Sequence, residues 1–156
     1  TGLRGGRVRF NEYAAFDLSR CLGTIYPGGR GSGDVKHKLK KLGYEPDAVR
    51  RVSIAMYEGE INMVIHANGG EAVVDIDPDR VDIVLKDTGP GIADVEQAMQ
   101  AGWSTAPDNV RALGFGAGMG LPNMKKYSDE MKIDSVVGEG TTVTMTVFPG
   151  RKEEGR

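Results

Sequence analysis

A chain of 156 residues fits one domain with a single sizeable core, and 39% hydrophobic with 27% charged residues is ordinary for a globular protein. Twenty basic against 22 acidic residues leave a net charge of -2, which gives no reason to expect nucleic acid or a membrane surface as partner. One cysteine, Cys21, excludes an internal disulfide or a thiolate cluster and suits a reducing cytoplasm; no apolar run reaches the roughly 18 residues of a membrane span, and no charged-then-apolar leader opens the chain.

Residues 7–13 alternate apolar and polar and predict a first strand. The stretch 27–33 (PGGRGSG) reads as an exposed glycine-rich loop. A basic helix is expected from Asp34 to Leu42, capped by Ser32 or Asp34 and stopped by Gly43. Its Lys36, Lys38, Lys40 and Lys41 read as a solvated face, with a partner surface as the alternative. Pro46 suits a helix first turn, and Val49, Val52, Ile54, Met56, Ile61, Val64 and Ile65 sustain a long helix to about Ala67, where Asn68-Gly69-Gly70 ends it. Strands 72–76 and 81–85 flank the turn Asp77-Pro78-Asp79-Arg80 as a hairpin. A short helix is expected over 94–101, a long irregular loop over 102–117 and a helix from Gly118 to Tyr127. A second hairpin pairs 131–137 with 141–148 around Gly138-Glu139-Gly140. Residues 34–150 then form the domain, after a strand and loop over 1–33 and before a polar tail, 151–156. This order predicts an α+β two-layer sandwich, helices on one face of a mixed, mostly antiparallel sheet.

Three groups of residues carry chemistry. Glu58, Asn62 and His66, spaced i, i+4, i+8, share one stripe of the long helix. The amide oxygen of Asn62 is a hard neutral ligand suited to Mg²⁺, and Glu58 can take a proton from a nucleophile near a terminal phosphate; the alternative is a solvated helix face. Asp87-Thr88-Gly89-Pro90-Gly91-Ile92 places a carboxylate just past an apolar strand. A partly buried carboxylate needs donors, and adenine's exocyclic amine is one where guanine has a carbonyl; the alternative is a loop that caps the next helix. In Gly114-Phe115-Gly116-Ala117-Gly118-Met119-Gly120-Leu121, alternate glycines precede a helix and offer bare N–H groups to a triphosphate; the alternative is a hinge. The loop lacks the Gly-Lys-Ser/Thr ending of a P-loop, and the chain lacks the strand–helix repeat of a dinucleotide fold.

In this order the boxes resemble the GHKL superfamily of ATPases and kinases, which share the Bergerat fold. The matching parts are Glu58, Asn62 and His66, then Asp87, Gly89 and Gly91, then Gly116, Gly118 and Gly120, and the closing Gly140-Thr141, together spanning about 46–148. Within it, AMQAGWSTAPD and GMGLPNMKKYSDEMKIDSVVGEGTTVTMTV are similar to bacterial anti-sigma factor and switch serine kinases. The resemblance implies an ATP and Mg²⁺ site with Asn62 on the metal, Asp87 and Thr141 at adenine, Glu58 as general base, His66, Ile92, Met119 and Leu121 beside the nucleotide, and 102–117 as a mobile lid. It further implies a serine-bearing anti-sigma antagonist or a sigma factor as protein partner, with a homodimer as one option.

Those kinases often carry a basic residue directly before the second glycine box, where this chain reads Gly116-Ala117; Arg111, Lys125 and Lys126 are the nearest cations in sequence. Two other functions therefore stand beside the kinase: a nucleotide-responsive module of a larger assembly, and the detached ATP-binding part of a sensor kinase. Against the last, His37 lies in a short basic helix and His66 in the nucleotide stripe, so no dimerisation helix offers a phosphoacceptor histidine.

Overall fold

The computed structural model describes residues 6–10, 30–67, 70–103 and 119–150. The reading of Cys21, the tail, most of the lid loop and Gly114, Gly116 and Gly118 falls outside the described residues.

In chain order the elements are β1 (Gly6–Phe10), α1 (Arg30–Lys41), α2 (Pro46–Ala67), β2 (Glu71–Ile76), β3 (Val81–Lys86), α3 (Val95–Ala98), α4 (Gly120–Tyr127), β4 (Glu130–Val136) and β5 (Gly140–Val147). The five strands form one sheet in the order β1-β2-β3-β5-β4, and every described pairing is antiparallel.

Period-two patterning builds the sheet. Ala72, Val74 and Ile76 on β2, Val81, Ile83 and Leu85 on β3, and Val143, Met145 and Val147 on β5 all point to one buried face. The register sets Val74 opposite Ile83 and Ile83 opposite Met145, so the apolar rows run across the strands. Helices α2 and α4 cover that face, and α1 packs on α2. The result is the expected α+β sandwich. No described helix is long and apolar enough to cross a membrane.

Helix α1 starts at Arg30, four positions before the expected Asp34, so 30–33 are helix rather than exposed loop, and Ser32 is buried rather than a cap. Packing of the fully buried Val35 and Leu39 outweighs the roughly 1 kcal/mol helix penalty of each glycine. Its end follows the sequence: Gly43, at φ 81°, donates to the Lys40 carbonyl, and the Tyr44 N–H donates to the Leu39 carbonyl, a Schellman closure. Helix α3 is shorter than expected, four residues instead of 94–101, because turns follow it, with Gly102 at φ 87°.

Candidate functional site

A cavity of about 950 Å³ opens between α2, the loop after β3 and the N-terminus of α4, a size suited to a nucleotide. Leu85, Met124 and Val143 give it an apolar base. The stripe Glu58, Asn62 and His66 lines one side. Eight residues of helix set the two ends of that stripe about 12 Å apart. Asp87, Gly91, Ile92 and Thr141 line the cavity near the His66 end; Met119, Gly120 and Leu121 line it near the Glu58 end. The solvated-face alternative for the stripe is thereby removed: all three side chains are half-buried and turned into one cavity.

Helix α2 reaches this position through Gly59, where a Cβ would collide with Leu85 Cδ1 and come within 3.2 Å of Met124 Cε. The missing side chain lets the helix lie directly on β3 and α4. Glu58 is therefore held next to α4, where Asn123 Nδ2 donates to its Oε1 at 3.3 Å. Burial pushes the Glu58 carboxyl above its ordinary range, and the Asn123 hydrogen bond pulls partly back. Burial pushes the His66 imidazole down, against the raising influence of Asp87, so His66 is neutral at pH 7.

Asp87 is anchored by backbone. Its Oδ1 accepts the Gly89 N–H at 2.9 Å and the Thr141 N–H at 3.2 Å, while its own N–H donates to the Thr141 carbonyl at 2.9 Å. Among the described residues no group donates to Oδ2, which leaves one oxygen for a donor in the cavity. The capping alternative fails, because Asp94 caps α3 with its own side chain, accepting from Gln97 N at 3.0 Å. Gly89 does not line the cavity; a Cβ there would meet Ala67 Cβ at 2.5 Å, so this glycine lets the loop close on the end of α2. Gly91, at φ 77°, lies against the Val136 carbonyl, and the Pro90 carbonyl accepts the Gly138 N–H at 2.8 Å. The loop after β3 is thus pinned to the β4–β5 hairpin.

Two site residues escaped the sequence reading. Asn123 carries no motif signal. Ser135 has one: it shares parity with Met131 and Ile133 on the helix-facing side of β4, where a hydroxyl is out of pattern. Trp103, within the 102–117 segment expected to be the lid, lines the cavity and is 36% exposed.

The donors present fit a magnesium ion. Asn62 Oδ1 and Glu58 Oε2 each lie 3.9 Å from where a Gly120 Cβ would stand, so the absent side chain leaves space between two hard oxygens and the start of α4. Among the described residues no three His, Cys, Asp or Glu side chains gather to hold a metal alone. An ion here would take its remaining ligands from phosphate and water. No lysine or arginine among the described residues lines the cavity; Lys125 and Lys126 are exposed on the last turn of α4, with Lys126 Nζ 5.3 Å from the Tyr127 ring centre.

The chain is similar in sequence to known proteins. The family model described as the histidine kinase-like ATPase domain matches residues 34–147. The chain is 33% identical to the serine/threonine-protein kinase RsbT of Bacillus subtilis over 112 residues, covering 69% of this chain and 78% of RsbT. It is 33% identical to an anti-sigma F factor of Caldanaerobacter subterraneus over 110 residues, 67% of this chain and 73% of that protein. A mycobacterial sensor histidine kinase, MprB, matches at TM-score 0.47 and 23% identity over 66% of this chain and 72% of that one. With the match running from α1 through β5 and enclosing all the described walls of the cavity, this chain belongs to the histidine kinase-like ATPase family, the GHKL superfamily.

Proposed function

We propose that this chain is a cytoplasmic, Mg-ATP-dependent serine/threonine protein kinase of the anti-sigma type, whose substrate is a serine-bearing antagonist protein. The observation that carries the reading is the single cavity that sets Asp87 at one end of the Glu58-Asn62-His66 stripe and Gly120 at the other. Similarity to RsbT and to anti-sigma F factors supports the choice of substrate class.

In this reading Asp87 Oδ2 accepts the exocyclic amine of adenine, and the start of α4 with the glycine-rich segment before it receives the phosphates. Asn62 holds the ion, which when bound neutralises phosphate charge. Glu58 takes the proton of the incoming serine hydroxyl as the serine oxygen bonds to the γ-phosphorus and the bond to the ADP oxygen breaks. A carboxyl whose proton affinity is raised by burial, with the Asn123 hydrogen bond pulling partly back, suits that task.

The absence of a cation among the described lining residues favours one second reading, a nucleotide-responsive module that binds without turnover. Labelled ATP separates them. Label on a serine of an added antagonist protein, lost in Glu58→Ala while ATP still binds, supports the kinase. Label on a histidine of this chain points to a sensor-type domain. Tight binding with no label anywhere points to the module.

A further inference from the structure

The sheet order leaves β4 at an edge. Which of its backbone groups face outward follows from β5. The Thr141 N–H donates to Asp87 Oδ1 and the Thr141 carbonyl accepts the Asp87 N–H, so both groups point toward β3 and away from β4. Ser135, the register partner of Thr141, is therefore in a non-hydrogen-bonded pair, and its N–H and C=O face the open edge. By the alternation of an antiparallel ladder, so do those of Ile133 and Met131. Among the described residues no strand, turn or loop bonds to them.

Open edges are commonly blunted by proline, a bulge or an inward-pointing charge. Strand β4 has none of these. It contains no proline, and it pairs with β5 without interruption from Glu130 to Val136. Its helix-facing Met131 and Ile133 are half-buried and pack on the core, while Glu130, Lys132 and Asp134 all stand on the opposite face. Ser135 holds the strand in place, its hydroxyl accepting the Ile92 N–H at 2.7 Å and lying 2.8 Å from Thr141 Oγ1. At the hairpin end Val136 and Val137 are 55% and 65% exposed.

This edge is complementary to itself. Residues opposite one another in an antiparallel pair share a face, so a two-fold axis relating two copies of β4 must pass through a residue. Centred on Ile133, the pairing uses all seven residues of the strand. Ile133 meets Ile133, Met131 meets Ser135, and Lys132 meets Asp134 on both sides of the axis. Centred one residue earlier, Lys132 meets Lys132 and Glu130 meets Asp134. Centred one residue later, Asp134 meets Asp134. Like charges directly opposite one another destabilise a ladder. The register with the longest overlap is thus also the one that joins unlike charges. In it the outward groups of Met131, Ile133 and Ser135 supply about six hydrogen bonds across the seam.

We propose that the chain forms a two-fold dimer by antiparallel pairing of β4 with β4 of a second copy, in the register centred on Ile133. The two five-stranded sheets then become one continuous sheet. The inference does not rest on the nucleotide reading, and its test needs no nucleotide.

Sedimentation equilibrium of the full chain over a concentration series should show monomer and dimer. Lys132 and Asp134 side chains are 75% and 61% exposed, so charge changes there leave the fold intact. Lys132→Asp and Asp134→Lys each set like charges opposite one another twice, and each alone should raise the dimer Kd about tenfold or more. An equimolar mixture of the two variants should dimerise again, because every contact in the mixed pair joins an acid to an amine. The double variant, with both charges exchanged, should dimerise like the original chain. Loss of the ion pair within one chain cannot produce rescue by mixing, since neither variant regains it. Singly substituted chains that dimerise unchanged, or a mixture that stays monomeric, would overturn the proposal. A chain that remains monomeric to about 1 mM, the weak end of the affinity scale, would also overturn it and leave the edge to a strand of another protein.

Discussion

Individual side chains of this site differ in how they are held, and that difference sets what each can do. Asp87 is fixed by two backbone N–H groups on one oxygen, leaving the other for a ligand. Asp87→Asn keeps the shape and removes the charge, so ATP affinity should fall by about 1.5–3 kcal/mol, the range for a hydrogen bond to a charged group; calorimetry reads it directly. Glu58 is governed by burial instead. Its carboxyl titrates above the ordinary value of 4.5, and a base works only when deprotonated. The rate of phosphoryl transfer should therefore decline on acidification with an inflection above that of a free glutamate. Removing the donor in Asn123→Ala withdraws the one influence that lowers the Glu58 pKa, so the inflection should move to still higher pH. An inflection that moves down, or does not move, in the pH–rate profile would exclude Asn123 as the group that lowers the Glu58 pKa. The chemical types at 58, 62, 66 and 87 were all readable in sequence because each sits at a fixed interval or just past an apolar strand. Asn123 was not readable, since the contact joins residues 65 apart in the chain.

Elements meet at this site where glycine permits it. Gly140 opens β5 at φ 137°, and a Cβ there would strike the Asp87 carbonyl and come within 2.9 Å of Thr88 Cα. This close approach brings the start of β5 against the end of β3, which is what lets the Thr141 N–H reach Asp87. Gly140→Ala combines a strained φ with overpacking and should cost about 2–4 kcal/mol of stability by urea unfolding. The same variant should weaken ATP at temperatures where it remains folded, because Asp87 and Thr141 are pushed apart. The elements themselves were largely legible. The Gly43 stop, the 22-residue α2 and both hairpins follow from periodicity and turn residues. The start of α1 was not, because local glycine content argued for a loop while burial of Val35 and Leu39 against α2 extended the helix to Arg30.

Across the whole molecule, one buried cation ties the two layers together. Arg51, 3% exposed in α2, donates to Asp47 Oδ2 at 2.9 Å, to Asp129 Oδ2 at 3.0 Å and to the Phe148 carbonyl at 3.0 Å. Asp129 also accepts the Phe148 N–H at 2.7 Å. The guanidinium thus joins the start of α2, the turn between α4 and β4, and the end of β5, at the end of α2 away from His66. Arg51→Ala removes a buried guanidinium, leaves the half-buried Asp129 without that partner and should destabilise the fold by about 3 kcal/mol, measured as a lower urea midpoint. With the cavity at the far end of α2, the variant should keep its ATP affinity while folded.

Periodicity, turn chemistry and the order of polar boxes were enough, from the sequence alone, to determine an α+β sandwich and to nominate Glu58, Asn62, His66 and Asp87, because those features act between near neighbours along the chain; Thr141 was nominated by the family resemblance. Tertiary structure alone decided that these residues share one cavity, that Gly89 packs on α2 rather than lining the site, and that Asn123 and Ser135 stand behind the residues that do line it. Such contacts depend on how strands register and how closely helices settle on them, and a linear pattern carries no record of either.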